Sequence, residues 1–131
     1  MDILKNDTVA PQDYLKMDPM ELLETMKKDM VFVIPEHVHT PANKKIASET
    51  ISKATAFATY FTEMETRAKL LKKAAKASGN TAEYNRYLNV EDVFKSLKEI
   101  AKMQIENVAK IMTLKRLELD EQRSNYNSHI T

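Results

Sequence analysis

The sequence has no cysteine, a single glycine and only four prolines among its 131 residues. Without cysteine there is no disulfide, no thiol nucleophile and no thiolate metal site. One glycine leaves no glycine-rich phosphate loop, and so few turn residues argue for a helical chain. No apolar run approaches the span of a membrane helix, and the opening residues, MDILKND, lack a signal-peptide pattern. A soluble, cytoplasmic protein of one domain is expected. Catalytic arrangements are missing as well. Glu63 and Glu65 are two apart, so on a helix they face different sides. The serines and threonines have no histidine–carboxylate arrangement that spacing can place. Neither enzymatic activity nor a cofactor is expected.

What is present is helix. From Thr40 to Ser78 the chain reads TPANKKIASETISKATAFATYFTEMETRAKLLKKAAKAS, with no glycine and no proline after Pro41. Thr40 suits a cap, Pro41 the first helical position and Gly79 the stop. Such a helix would run roughly 57 Å at 1.5 Å per residue, too long to be stable alone. Its apolar row is Ala47, Ile51, Ala54, Ala58, Phe61, Met64, Ala68, Leu71 and Ala75, a coiled-coil-like seam with one irregular step after Phe61. Ile46, Phe57, Tyr60 and Leu70 lie off the row and call for a third helix or another subunit.

After Ser78-Gly79-Asn80, Asn80 and Glu83 form a capping-box signal. Asn89 with Glu91 and Asp92 is a second start signal, so 81–88 reads as a separate short turn. From Val90 the pattern is broad: Val93, Phe94, Leu97, Ile100, Ala101, Ile105, Val108, Ile111 and Met112, continuing to about Gln122. Met64, Met103 and Met112 fall on apolar rows and read as core. Upstream, residues 1–17 read as a loosely docked arm. Asp18-Pro19-Met20-Glu21 opens a short helix from Pro19 to Asp29. The run Met30 to Ile34, closed by Pro35, reads as an extended segment across a groove, or alternatively as a strand that pairs with a neighbouring subunit.

The expected fold is therefore all-α. A long antiparallel helical hairpin (41–123) carries an acidic N-terminal arm with a short helix and an extended apolar linker (1–40), and a flexible tail (124–131). The excess apolar width, including Val31, Phe32, Val33, Ile34, Phe57 and Tyr60, predicts a homo-oligomer interface.

The net charge of +1 hides a gradient. Residues 1–40 hold four Lys/Arg against eight Asp/Glu, net −4, whereas 41–78 hold eight against three, net +5. Arg67, Lys69, Lys72, Lys73 and Lys76 form a run of five cations without an acid. Four of them share one helix side and could meet phosphates without reading bases. Tyr84, Arg86 and Tyr87 across the turn would add stacking on unpaired bases. The competing reading is a solvated helix end whose lysines oppose the macrodipole. His37 and His39 point to one side of an extended segment, but closed zinc sites want four ligands, so no metal is expected.

The order of acidic arm, proline-bounded linker and long hairpin with a basic tip, over Thr40 to Gln122, resembles the small terminase subunits of tailed phages. In that family a helical hairpin assembles into rings and helps load DNA into the packaging motor. Phage recombination mediators, small helical oligomers on single-stranded DNA, are nearly as similar. The resemblance implies an oligomeric, non-enzymatic DNA-handling accessory protein in the host cytoplasm. The usual helix-turn-helix before the hairpin has no counterpart here, and no site residue is carried over. The alternative function is a helical protein-binding adaptor or inhibitor with no nucleic-acid role.

Overall fold

A computed structural model describes residues 11–130 and holds four helices in chain order: α1 (Pro11–Lys16), α2 (Pro19–Asp29), α3 (Pro41–Ala77) and α4 (Thr81–Ile130). Among the described residues no strand forms. The two long helices pack along each other as the expected hairpin, α2 lies on α4, and α1 touches α3.

Local chemistry sets each boundary. Asp18 accepts from the Met20 and Glu21 amides at 3.2 and 3.4 Å, with Pro19 at the first helical position of α2. Thr40 accepts from the Asn43 amide at 3.1 Å ahead of Pro41. These bonds satisfy helix-end donors that would otherwise be orphaned. α3 ends in a Schellman turn: the Asn80 amide donates to Ala75 O at 2.9 Å and the Gly79 amide to Lys76 O at 3.1 Å. Gly79 has φ +75°, a left-handed conformation that explains why the chain's one glycine stands there. Asn80 then caps α4 by accepting from the Glu83 amide at 3.1 Å.

Three expectations need correction. Residues 81–88 are not a separate turn; α4 is continuous from Thr81, because the Asn89 start signal meets no proline or glycine that would end the helix before it. For the same reason the α4 backbone passes Gln122 and stays helical to Ile130. The arm is not loosely docked where it is described: Tyr14 and Leu15 of α1 are buried in the main core. Residues 1–10 of that expectation lie outside the described residues.

The main core lies along the middle of the hairpin. Phe57, Phe61, Met64 and Ala68 of α3 meet Val90, Phe94, Leu97 and Ala101 of α4, and Leu22 and Met26 of α2 cover them. All ten are fully buried. A smaller core sits near the start of α3, where Val38, Ala47 and Val108 are buried among the half-buried Ile34, Ile51 and Ile111. Met64 is core as expected, but Met103 and Met112 are 55% and 49% exposed, because α3 and the N-terminal layers leave those sides of α4 open.

The linker of residues 30–40 links the two cores. Its alternation is that of an extended chain: Val31 and Val33 face solvent, while Phe32 and Ile34 turn inward. Side chains take the place of a partner strand. Lys53 Nζ donates to Val31 O at 2.8 Å, Thr50 Oγ1 to Val33 O at 2.6 Å and Lys115 Nζ to Val38 O at 2.9 Å. The segment is thus strapped across the groove of its own hairpin.

Candidate functional site

The basic run at the end of α3 is built on an ordinary helix, so its cations project at three- and four-residue steps. Their surroundings differ from the expectation of an acid-free stripe. Glu91 of α4, only 7% exposed, lies 2.7 Å from Lys72 and 3.9 Å from Lys69. The carboxylate contact raises Lys72 above the usual lysine value. Arg67 pairs with Glu63, one helical turn before it, at 2.7 Å. Three of the five cations thus face acids, whereas Lys73 and Lys76 are exposed and make no ion pair among the described residues. The Glu63 pairing is readable from i,i+4 spacing. The Glu91 pairing was missed, but its signal is there, since Glu91 stands at roughly the mirror position of Lys69 about the Gly79 turn.

Arg86 is also placed differently from expectation. Its guanidinium donates to Glu83 at 3.2 Å, to Leu15 O at 2.7 Å and to Met17 O at 3.5 Å, and it covers the Tyr87 ring at 4.4 Å from the centroid. It clasps the end of α1 onto α4. Bonding to this guanidinium holds the Glu83 carboxyl below its usual range. Arg86 and Tyr87 are therefore committed to the fold rather than presented to bases, and Tyr84 beside them is half-buried.

The residues expected at a subunit interface split into two groups. Phe57 is fully buried within the chain, edge-on to Phe32 at 5.9 Å and stacked on Phe61 at 5.6 Å, which removes it from any subunit interface. Tyr60 packs half-buried against Phe61, and burial pushes its hydroxyl up to about 12. Phe32 and Ile34 are half-buried against the two cores. Val31 and Val33 alone stand out, 66% and 61% exposed.

His37 and His39 stack at 5.0 Å, and His37 Nδ1 accepts from the His39 amide at 3.2 Å. Among the described residues no group of three or more acidic or histidine side chains is arranged to hold a metal. No helix among them is long and apolar enough to cross a membrane.

A surface that sequence reasoning did not single out lies on the far part of α4. With 50 residues against 37 in α3, and one short turn between them, α4 carries a surplus of 13 residues at the end away from the turn. That is roughly 20 Å of helix with no α3 opposite. Leu119 lies in this stretch and is 44% exposed, while Leu114 and Leu117, each 59% exposed, stand just before it, beside the start of α3. Leu119 continues the face that carries Val90, Phe94, Leu97, Ala101 and Val108, at steps of three, four, seven and eleven. Its signal in the sequence is the three-residue spacing of Leu114 and Leu117, read against the start of α3 at Pro41.

Compared with protein-family models, curated proteins and solved structures, the chain matches none of them.

Proposed function

We propose that this protein is a non-enzymatic helical assembly module, and that the far end of α4 pairs with the same end of a second copy. The observation that carries the reading is the exposed pair Leu114 and Leu117, one turn apart on one side of α4 at the end of the hairpin, with Leu119 exposed on another side where α4 outruns α3. An isolated helix end of this kind gains stability chiefly by packing its apolar side on another helix. The charges favour a like partner. Residues 112–123 contain three Lys/Arg and three Asp/Glu, so the segment is neutral and neither attracts phosphates nor repels its own copy. Sedimentation velocity on the full chain at tens of micromolar tests this. A species of twice 15.1 kDa or more is expected for the wild type, and a 15.1 kDa monomer for Leu114→Glu/Leu117→Glu/Leu119→Glu. A monomeric wild type overturns self-assembly and leaves the face to a helix of another protein, the adaptor role.

Lys73 and Lys76 support a second reading, a DNA-handling accessory role of the small-terminase or recombination-mediator kind. They remain exposed at the tip of a helical body whose residues 41–78 carry net +5. Binding to DNA would then weaken steeply with salt, and Lys73→Gln/Lys76→Gln would flatten the salt slope by roughly one unit per lost contact. Undetectable binding at low salt rejects this reading.

A further inference from the structure

The smaller core is incomplete on one side. A cavity of about 420 Å³ opens there between the start of α3, the end of the linker and α4. Its floor is apolar, with Val38 and Ala47 buried and Ile51 half-buried; Met112 forms an exposed rim, and Ser48 and Ser52 add two hydroxyls to the wall. Among the described residues its charged lining is Lys44 and Lys115, with no carboxylate. Neither lysine has an acidic partner among the described residues.

Two ammonium groups with no acid beside them among the described residues are an unusual way to finish an apolar hollow. Lys115 is half-buried and anchored by its bond to Val38 O at 2.9 Å, so it cannot swing freely into water. Withdrawal from water, and the neighbouring Lys44, hold its ammonium below the usual lysine value. Lys44 in turn sits in the first turn of α3, which has no acidic residue, where the helix dipole already disfavours a cation. The protein therefore concentrates positive potential at the mouth of an apolar cavity, and an anion would relieve it. The volume falls in the range of small-molecule sites, and the combination of apolar walls with a few convergent polar groups is what such sites share.

We propose that this cavity binds an anionic amphiphile, with a carboxylate or phosphate head between Lys44 and Lys115 and an alkyl chain lying on Val38, Ala47, Ile51 and Met112. None of the three leucines lines the cavity, so the two proposals rest on different residues.

Calorimetric titration of the full chain tests it with four probes: decanoate, decyl phosphate, decyltrimethylammonium and inorganic phosphate. Saturable one-to-one binding is expected for at least one decyl anion. It should be at least about tenfold tighter than for the cationic amphiphile or inorganic phosphate, because a charge-assisted hydrogen bond contributes on that scale. Decanoate against decyl phosphate decides the head group. Lys44→Gln/Lys115→Gln should weaken the preferred probe about tenfold or more while leaving the circular-dichroism spectrum unchanged, since glutamine keeps helix propensity. Met112→Glu, at the exposed rim, should repel the same probe without disturbing the buried core. Leu117→Glu, on the other side of α4 from Lys115, should bind it like the wild type. Equal affinity for the cationic amphiphile, unchanged affinity in the lysine double variant, or no saturable binding of either decyl anion up to about 1 mM, a bare −4 kcal/mol, overturns the proposal.

Discussion

The two cores of this hairpin use the same pair of helices and differ in what covers them. Around Phe61 and Phe94, whose ring centroids are 6.1 Å apart, α2 adds a third layer and the interior closes. Around Val108 the cover is only the linker, anchored by Ile34 and Val38, and the interior opens into a cavity. A two-helix seam rich in alanine allows close approach but buries little apolar area by itself, so stability follows the extra layer. Stability concentrates in the middle of the hairpin, and the accessible chemistry gathers where the layer is missing.

Matched truncations should expose that difference most strongly. Phe61→Ala removes a fully buried ring from the layered core and should cost about 3–5 kcal/mol in urea unfolding. Val108→Ala removes less volume beside an open cavity, and should cost about 1–2 kcal/mol. Equal costs would break the comparison, because they would mean that the open core is as constrained as the closed one.

Next in size comes Glu65, 8% exposed, which accepts from Lys98 Nζ at 2.6 Å across the two long helices. Glu65→Ala strands a half-buried ammonium inside the layered region and should cost about 3 kcal/mol. Glu65→Leu/Lys98→Met should recover most of that loss, since well-packed apolar replacements of a buried pair are often neutral or better. A double variant no more stable than Glu65→Ala would show that the charges themselves hold the helices in register.

The linker should respond less. Thr50→Val keeps the shape of a 5% exposed side chain but removes the donor to Val33 O, and should cost about 1 kcal/mol. The loss should appear in resonances of residues 31–38 before any change in the Phe61 region. A simultaneous change in both would erase the distinction between the cores.

The smallest effect is one of pH. The Glu83 carboxyl is held below its usual range by Arg86, so in this range the unfolded chain binds more protons than the folded one. The contribution of this pair is present above the ordinary glutamate range and is lost as pH falls through the lowered folded value. The α1 clasp should therefore loosen in mild acid, seen as faster quenching of Tyr14 fluorescence in a variant whose other tyrosines are phenylalanine. Glu83→Gln should remove that pH dependence.

What could be read from the sequence was local. Asp18-Pro19, Thr40-Pro41 and Ser78-Gly79-Asn80 announce helix ends because a cap is settled within a few residues. The apolar rows of α3 and α4 announce the hairpin for the same reason. The clasp of Arg86 on Leu15 joins groups 71 positions apart, and no periodicity encodes such a contact. The excess width at Phe57 was legible, but its occupant was not: a linker from the same chain and a second subunit leave the same apolar signature. At the open cavity, Lys44 and Lys115 carry no signal in the sequence, because only the fold brings the first turn of α3 beside α4.

The strap of residues 31–38 has a consequence for motion. The carbonyls of Val31, Val33 and Val38 are held by side chains, but its amides donate to no described protein group, unlike those of the helices it joins. Breaking three side-chain bonds and lifting Phe32, Ile34 and Val38 from the two cores frees it without disturbing a single turn of helix. Hydrogen exchange should find it as an independent opening unit, its amides trading deuterium within seconds while those near Phe94 persist to the limit of global unfolding. Each excursion would uncover Phe57 and the floor of the open cavity together, so the rate of that opening would set how fast any molecule could enter or leave beneath it.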